Sequence, residues 1–180
     1  MNTELQTSSG PVIYLICGST GAGKSTYAKM LSNDIGAIYF SIDDWMTALF
    51  GPDVDNVMDW KWISERVLRC ENQMISTACA LAETGVSSIL EIGLQQASKR
   101  EEVTSVVAKK SGCTLQTHFL DIDAAERWRR VEQRNTEKGE TFKLEVTRDM
   151  FDFFEAMWEP PSEQELLSFK RVQAIKGSNT

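Results

Sequence analysis

Gly18-Ser19-Thr20-Gly21-Ala22-Gly23-Lys24-Ser25 is the stretch that decides the fold of this 180-residue chain. It matches the pattern G-x-x-x-x-G-K-[ST] in full, with an apolar run directly before it and helical spacing of apolar residues after it. A loop of this kind curls its backbone N–H groups around phosphate oxygens, and the positive end of the following helix adds to the attraction. The stretch therefore predicts a phosphate-binding loop for a nucleoside triphosphate.

The side chains at the end of the stretch have chemical roles of their own. The Lys24 ammonium can reach the β- and γ-phosphates, and the Ser25 hydroxyl is a suitable ligand for Mg²⁺. We therefore expect ATP with Mg²⁺ as cofactors, although the loop alone does not separate ATP from GTP. The predicted nucleotide-binding residues are Gly18, Ser19, Thr20, Gly21, Ala22, Gly23, Lys24, Ser25 and Thr26.

Strands and helices alternate along the rest of the chain. Short apolar runs predict strands, and longer stretches with apolar residues every three or four positions predict helices between them. This alternation indicates βαβ units and a parallel sheet in one α/β domain spanning 1–180, with residues 1–10 as a flexible tail. The predicted strands cover 12–17, 37–42, 87–92, 114–120 and 171–175, and the main helices cover 24–35, 60–83, 98–110, 123–135 and 144–157.

Composition excludes several classes of protein. Hydrophobic residues make up 42% and charged residues 25%, which favours a folded globular chain, and the net charge of −7 argues against broad binding to nucleic acid. The four cysteines lack CxxC spacing and there is one histidine, so neither a zinc site nor a disulfide framework is indicated. With no signal-peptide pattern and no apolar run of about 18 residues, we expect a cytoplasmic protein without a membrane segment.

The phosphate loop occurs in several classes of enzyme and switch. A GTPase would carry an NKxD segment, which the nearest candidate, Asn135-Thr136-Glu137-Lys138, does not match. The chain is also too short for an oligomeric ATPase motor with a separate helical domain. A small-molecule kinase remains, and it requires a carboxylate near the acceptor.

Two acidic positions follow predicted strands. Asp43 and Asp44 come directly after the second strand, where either could accept the proton of a substrate hydroxyl; the alternative is a helix cap with a first-turn acid. Glu91 interrupts the apolar third strand, where it could orient Mg²⁺ through water or hold substrate, or could simply sit at an exposed strand end.

An arginine-rich helix follows the fourth strand. Arg127, Arg130 and Arg134 have the spacing i, i+3 and i+7, which places them on one helix face with Arg129 on another side. They could close over the site as a mobile lid at about 123–143 and stabilise charge on a transferring phosphoryl group, or belong to an ordinary solvated helix. His118 is interpreted as a hydrogen-bonded strand residue.

Several segments together resemble a known family. GSTGAGKST at 18–26, SIDDW at 41–45, ERWRRVEQRN at 126–135 and RDMFDFFEAMWEPPSEQE at 148–165 resemble small P-loop kinases of the AAA-33 and zeta-toxin type. That group includes chloramphenicol phosphotransferase and the kinase domain of phage polynucleotide kinase. The resemblance implies that Asp43 is the catalytic base, that Glu91 is the acid at the strand end, and that the lid arginines are Arg127, Arg130 and Arg134.

The chain departs from the polynucleotide kinases at one informative position. Those enzymes carry an arginine three residues after the first aspartate, where this chain has Met46, and this weakens the case for a nucleic-acid acceptor. We expect a doubly wound P-loop kinase fold with strand order 2-3-1-4-5 that transfers the γ-phosphoryl group of ATP to a hydroxyl of a small molecule. The alternatives are a regulatory ATPase without an acceptor and a polynucleotide or nucleoside kinase.

Overall fold

The computed structural model describes residues 10–53, 59–110, 112–139 and 145–173. The tail at 1–9, the lid positions 140–143, the predicted helix start at 144 and the predicted strand positions 174–175 lie outside the described residues. Within the described ranges, no helix is both long and apolar enough to cross a bilayer.

Strands and helices alternate as the sequence predicts. The strands are β1 (Val12–Cys17), β2 (Ile38–Ser41), β3 (Ser88–Glu91), β4 (Thr114–Leu120) and β5 (Lys170–Val172). The helices are α1 (Lys24–Ile35), α2 (Ile42–Phe50), α3 (Trp60–Glu83), α4 (Ala97–Lys110), α5 (Ala124–Glu137), α6 (Arg148–Met157) and α7 (Glu163–Leu166).

The strands form one parallel sheet in the order β2-β3-β1-β4-β5. This confirms the predicted strand order and the α/β P-loop kinase fold. The central strand β1 is apolar throughout because both of its faces are covered. Ile13 and Leu15 belong to a core that includes α3 and α4 residues, whereas Ile16 belongs to a second core with α1 residues.

The second strand is shorter than predicted, and this changes which residue caps the next helix. Ile42 is already helical, so Asp43 and Asp44 both lie in the first turn of α2. The cap is Ser41, whose hydroxyl accepts a 3.3 Å hydrogen bond from the backbone N–H of Asp44. Neither aspartate is the cap, whereas the alternative of a first-turn acid holds for both, and this position leaves their carboxylates at the carboxyl edge of the sheet.

His118 is buried in β4, as interpreted from the sequence. Its Nδ1 lies 2.7 Å from the Tyr27 hydroxyl, whereas its Nε2 has no hydrogen-bond partner among the described residues. Burial, followed by the positive charge of Lys170, lowers the pKa of His118 to about 4. The ring is therefore neutral at pH 7, and only one of its two nitrogens is satisfied.

Candidate active site

A cleft of about 810 Å³ opens at the carboxyl edge of the sheet, where ligands bind in open α/β folds. Its volume lies in the upper part of the range for small-molecule sites. Six of the predicted nucleotide-binding residues line it, namely Thr20, Gly21, Gly23, Lys24, Ser25 and Thr26. Gly18, Ser19 and Ala22 lie in the same loop but are not part of the lining.

The loop backbone requires glycine at the point where it meets α5. Gly21 has a φ of +80°, and a Cβ atom there would lie 2.5 Å from the Arg127 carbonyl oxygen and 2.9 Å from Val131 Cγ2. A larger residue would therefore push α5 away from the loop. Gly23, with a φ of +88°, turns the chain into the start of α1.

Lys24 and Ser25 are the first residues of α1 and face the cleft. The Lys24 ammonium donates a 3.3 Å hydrogen bond to the Ser19 carbonyl oxygen. Burial lowers the pKa of Lys24, and the carboxylates of Glu91 and Asp43 act in the opposite direction. The lysine therefore stands close to both predicted acids.

Glu91, the last residue of β3, is buried and its two carboxylate oxygens have separate partners. The Ser25 hydroxyl donates a 2.8 Å hydrogen bond to Oε1, and the Tyr39 hydroxyl donates to Oε2. Burial and the Glu91 carboxylate raise the pKa of Tyr39, so its hydroxyl remains a donor. The interpretation of Glu91 as an exposed strand-end residue is therefore wrong.

The Ser25 hydroxyl and the Glu91 carboxylate fit a magnesium site. Both offer hard oxygen atoms beside the phosphate loop, and Mg²⁺ is usually held by one or two protein oxygens together with phosphates and water. Among the described residues there is no group of three or more histidine, cysteine, aspartate or glutamate side chains that would form an all-protein metal cage. The donor set is thus suited to a metal that arrives with a nucleotide.

Asp43 and Asp44 both line the cleft on the side formed by α2. Asp43 is electrostatically coupled to Lys24 and to Arg134, because its charge opposes the burial that lowers the pKa of each base. Met46, which replaces the arginine of the polynucleotide kinases, lines the cleft as well. Asp43 therefore lies between the phosphate loop and the arginine helix.

The arginines of α5 that line the cleft are not the same set that the sequence predicts. Arg129, Arg130 and Arg134 line the cleft, whereas Arg127 does not. The prediction that Arg127, Arg130 and Arg134 share the active face without Arg129 is corrected on this point. Spacing fixes only where the Cα–Cβ bonds point, and a long guanidinium side chain then follows its partners.

Arg127 is buried and all of its donor nitrogens are engaged. Its two terminal nitrogens each donate a 2.6 Å hydrogen bond to one oxygen of Glu155, and its Nε donates a 2.9 Å bond to the Ile122 carbonyl oxygen. A further 3.2 Å bond reaches the Thr20 carbonyl oxygen in the phosphate loop. The residue therefore joins α5 and α6 to the loop and, contrary to its predicted place on the active face, does not line the cleft.

Arg130 and Arg134 differ from each other in their partners. Arg130 donates a 2.7 Å hydrogen bond to Glu126 and a 3.4 Å bond to the Ala22 carbonyl oxygen. Arg134 is a half-buried cation that lines the cleft, and its Nε is buried without a hydrogen-bond partner among the described residues.

Two residues of the site were not predicted from the sequence. Tyr39 has a weak signal, since it precedes Ser41 by two positions and so shares the sheet face of Glu91, which pairs with Ser41. Glu155 has no usable signal beyond being an acid among the aromatic residues of α6. It holds Arg127 and also accepts a 2.5 Å hydrogen bond from the Ser19 hydroxyl.

Comparison with solved structures shows the same fold in several kinases. A candidate kinase from Chloroflexus aurantiacus has a TM-score of 0.70 at 14% identity, over 91% of this chain and 88% of that one. A gluconokinase from Sinorhizobium meliloti has a TM-score of 0.56 at 13% identity, over 93% and 85% of the two chains. The APS kinase of Mycobacterium tuberculosis, solved with AMPPNP and APS, has a TM-score of 0.50 at 18% identity, over 72% and 73%.

No curated protein matches the sequence. The family model AAA_33, described as an AAA domain, matches residues 13–157, a range that runs from β1 to the end of α6 and includes the phosphate loop, Asp43, Glu91 and the arginine helix. With most of its length matched and its sheet in the order found in small P-loop kinases, the chain belongs to the AAA_33 family.

Proposed function

We propose that this protein is a kinase that transfers the γ-phosphoryl group of ATP to a hydroxyl group of a small-molecule acceptor. The observation that carries the proposal is the position of Asp43. This carboxylate lies in the same cleft as the phosphate-loop residues Lys24 and Ser25 and is electrostatically coupled to Lys24 and Arg134. A carboxylate beside the phosphate loop is where a kinase needs the group that accepts the proton of the acceptor hydroxyl.

Each residue of the site has a separate role in an in-line transfer of the γ-phosphoryl group. Asp43 accepts the proton of the acceptor hydroxyl as its oxygen attacks the γ-phosphorus, and the bond from that phosphorus to the bridging oxygen of ADP breaks. Lys24 holds the β- and γ-phosphates, and Arg134 and Arg130 stabilise the charge on the transferring group. Bound Mg²⁺ supplies neutralisation of phosphate charge, and Ser25 and Glu91 are the residues that would hold it.

The walls near Asp43 favour a small acceptor over nucleic acid. The residues that α2 contributes to the cleft include Asp43, Asp44, Met46 and Thr47, and none of these four is a cation. A nucleic-acid phosphate would need arginine or lysine there, as it does in other phosphate-binding sites. The net charge of −7 points in the same direction.

A pair of aspartate variants tests the base assignment. We expect Asp43→Asn to lower kcat by about 100-fold or more while KM for ATP changes little, because general base catalysis contributes roughly that much. Asp44→Asn is the matched control, since it removes the neighbouring carboxylate of the same helical turn. Equal losses from the two variants, or full turnover by Asp43→Asn, would show that Asp43 is not the base.

A further inference from the structure

Glu91 is held at both of its oxygens, and the second contact has no part in the function proposed above. The Ser25 hydroxyl, which faces the nucleotide, donates to Oε1. The Tyr39 hydroxyl approaches Oε2 from the neighbouring strand β2. The carboxylate is therefore oriented by a residue that belongs neither to the phosphate loop nor to the arginine helix.

The sheet register explains how this contact forms. Strands β2 and β3 run in parallel, with Ser41 paired with Glu91 and Tyr39 paired with Ile89. Side chains two positions apart in a strand point to the same face, so Tyr39 lies diagonally behind Glu91. A tyrosine ring is long enough to span that diagonal, and its own packing against the core beside α1 fixes its direction.

The glutamate requires such a contact because it is flexible. A glutamate side chain has several rotatable bonds and loses considerable conformational entropy when it is fixed in one orientation. A tyrosine ring is rigid by comparison, and a hydrogen bond to a charged oxygen is stronger than one between neutral groups. Partners of this kind orient carboxylates at metal sites, and their loss typically weakens metal binding by about 10- to 100-fold.

We infer that Tyr39 is a positioning residue for magnesium, which turns the Glu91 carboxylate so that Oε1 faces Ser25 and the phosphates of a bound nucleotide. The inference rests on the proposed function only as far as the binding of nucleotide with magnesium. It does not depend on the acceptor or on the identity of the base.

The test measures metal and nucleotide binding separately. AMPPNP binding to the full chain is measured by calorimetry, first in EDTA and then across a magnesium titration, and Mn²⁺ bound in the complex is counted by electron paramagnetic resonance. The variants are Tyr39→Phe, Glu91→Gln and the double variant. Tyr27→Phe is the matched control, because it also removes a phenol hydroxyl that is hydrogen-bonded within the same part of the core.

We expect Tyr39→Phe to raise the magnesium concentration needed for AMPPNP binding by about tenfold, with affinity in EDTA unchanged within about twofold. Tyr27→Phe should change neither quantity. In the Glu91→Gln background, the tyrosine substitution should add less than about twofold, because the two residues act through one carboxylate. Thermal unfolding of each variant confirms that the measurements compare folded proteins.

Three results would overturn the inference. Tyr39→Phe could bind magnesium as the original protein does, could lose as much affinity in EDTA as in magnesium, or could retain its full effect in the Glu91→Gln background. Failure of the unaltered protein to bind AMPPNP under any condition would overturn the proposed function as well. Binding of AMPPNP with no magnesium dependence would overturn only the role of Tyr39.

Discussion

The two ends of α5 carry the same residue type in opposite environments. Near its beginning, Arg127 is buried, with its guanidinium bound to Glu155 and to two carbonyl oxygens. Two turns later, Arg134 lines the cleft and its Nε has no partner among the described residues. An arginine with every donor engaged holds structure, whereas an arginine that lines a cleft can present its positive charge to a ligand.

The buried arginine at the beginning of α5 supports the phosphate loop. The Arg127–Glu155 pair contacts the loop twice, through the Thr20 carbonyl oxygen and the Ser19 hydroxyl. The arginines that face the nucleotide are therefore mounted on a helix whose first turn is fixed to the loop itself. Separate measurements of turnover and of stability distinguish the two ends.

We expect the largest effect from Arg134, which lies on α5 and lines the cleft. We predict that Arg134→Ala lowers kcat for ATP turnover by about 1,000-fold, because an arginine that stabilises the transferring phosphoryl group contributes at least that much. The free energy of unfolding should change by less than about 1 kcal/mol, as the side chain is half-buried and its Nε is unpartnered.

Arg129→Ala is the control for that variant, since Arg129 lines the cleft but is largely exposed and paired with Glu126. We expect its turnover to fall by less than about tenfold. Steady-state kinetics on Arg134→Ala and Arg129→Ala measures the two losses in kcat. Comparable losses in the two would mean that general charge in the cleft, and not Arg134 in particular, supports the reaction.

Arg127, near the beginning of α5, should show the reverse pattern, with a larger loss of stability than of turnover. Arg127→Leu leaves Glu155 without its main partner, and we predict a loss of about 3 kcal/mol in the free energy of unfolding. This estimate is at the low end for a broken buried pair because Glu155 remains about a quarter exposed. Urea denaturation measures the effect; a variant that kept its stability but lost turnover would return Arg127 to the catalytic group.

The two buried basic side chains Arg127 and His118 differ in whether a carboxylate lies beside them. Arg127 has Glu155, whereas His118 has no carboxylate partner in the described part of the chain and its pKa falls to about 4. Because the unfolded chain binds this proton near pH 6.5 and the folded protein does not, stability should decrease as the pH falls from about 6.5 to about 4. We predict that the histidine contributes about 3 kcal/mol of this loss.

Urea denaturation between pH 7 and pH 4 measures the slope, and His118→Phe is the comparison because it cannot titrate. The effect of the histidine should level off below about pH 4, where both states are protonated. Glu126, Glu155 and Glu165 also have lowered pKa values, but their contribution to stability is lost only as the pH falls below about 4.5. An unchanged slope in the phenylalanine variant would contradict the assignment.

The smallest effect is expected at the exposed pairs between the two ends. Glu126 accepts hydrogen bonds from both Arg129 and Arg130, but all three side chains are substantially exposed to solvent. We predict that Glu126→Gln changes the free energy of unfolding by less than about 1 kcal/mol, and less still in high salt. A larger loss at high salt would show that the pair has a structural role like that of Arg127.

The sequence predicts the fold well because its signals are local. The continuous apolar run before Gly18, the glycines themselves and the alternation of strands and helices each reflect short-range physics. The same applies to the positions of Asp43 and Glu91, which follow from where strands end. Strand β2 ends one residue earlier than predicted because Ser41 is the cap of α2.

The contacts that organise the site could not be predicted in the same way. Arg127 and Glu155 are 28 positions apart, and Tyr39 and Glu91 are 52 apart, so spacing within one helix or strand does not encode either contact. Helical spacing also places Arg127 and Arg134 on one face of α5, because spacing indicates only the direction of each Cα–Cβ bond. Which guanidinium is buried depends on where α6 places Glu155, and that position is a property of the tertiary fold.

The most direct test of the central claim is the fate of the γ-phosphate. The protein is incubated with γ-labelled ATP, Mg²⁺ and fractions of a polar-metabolite pool, and labelled phosphate esters are separated from inorganic phosphate. We expect one fraction to take up label as a phosphate monoester, and we expect Asp43→Asn to abolish this transfer while Asp44→Asn preserves it. Label that appears only as inorganic phosphate, whatever fraction is added, would show that the protein is not a kinase for a small-molecule acceptor.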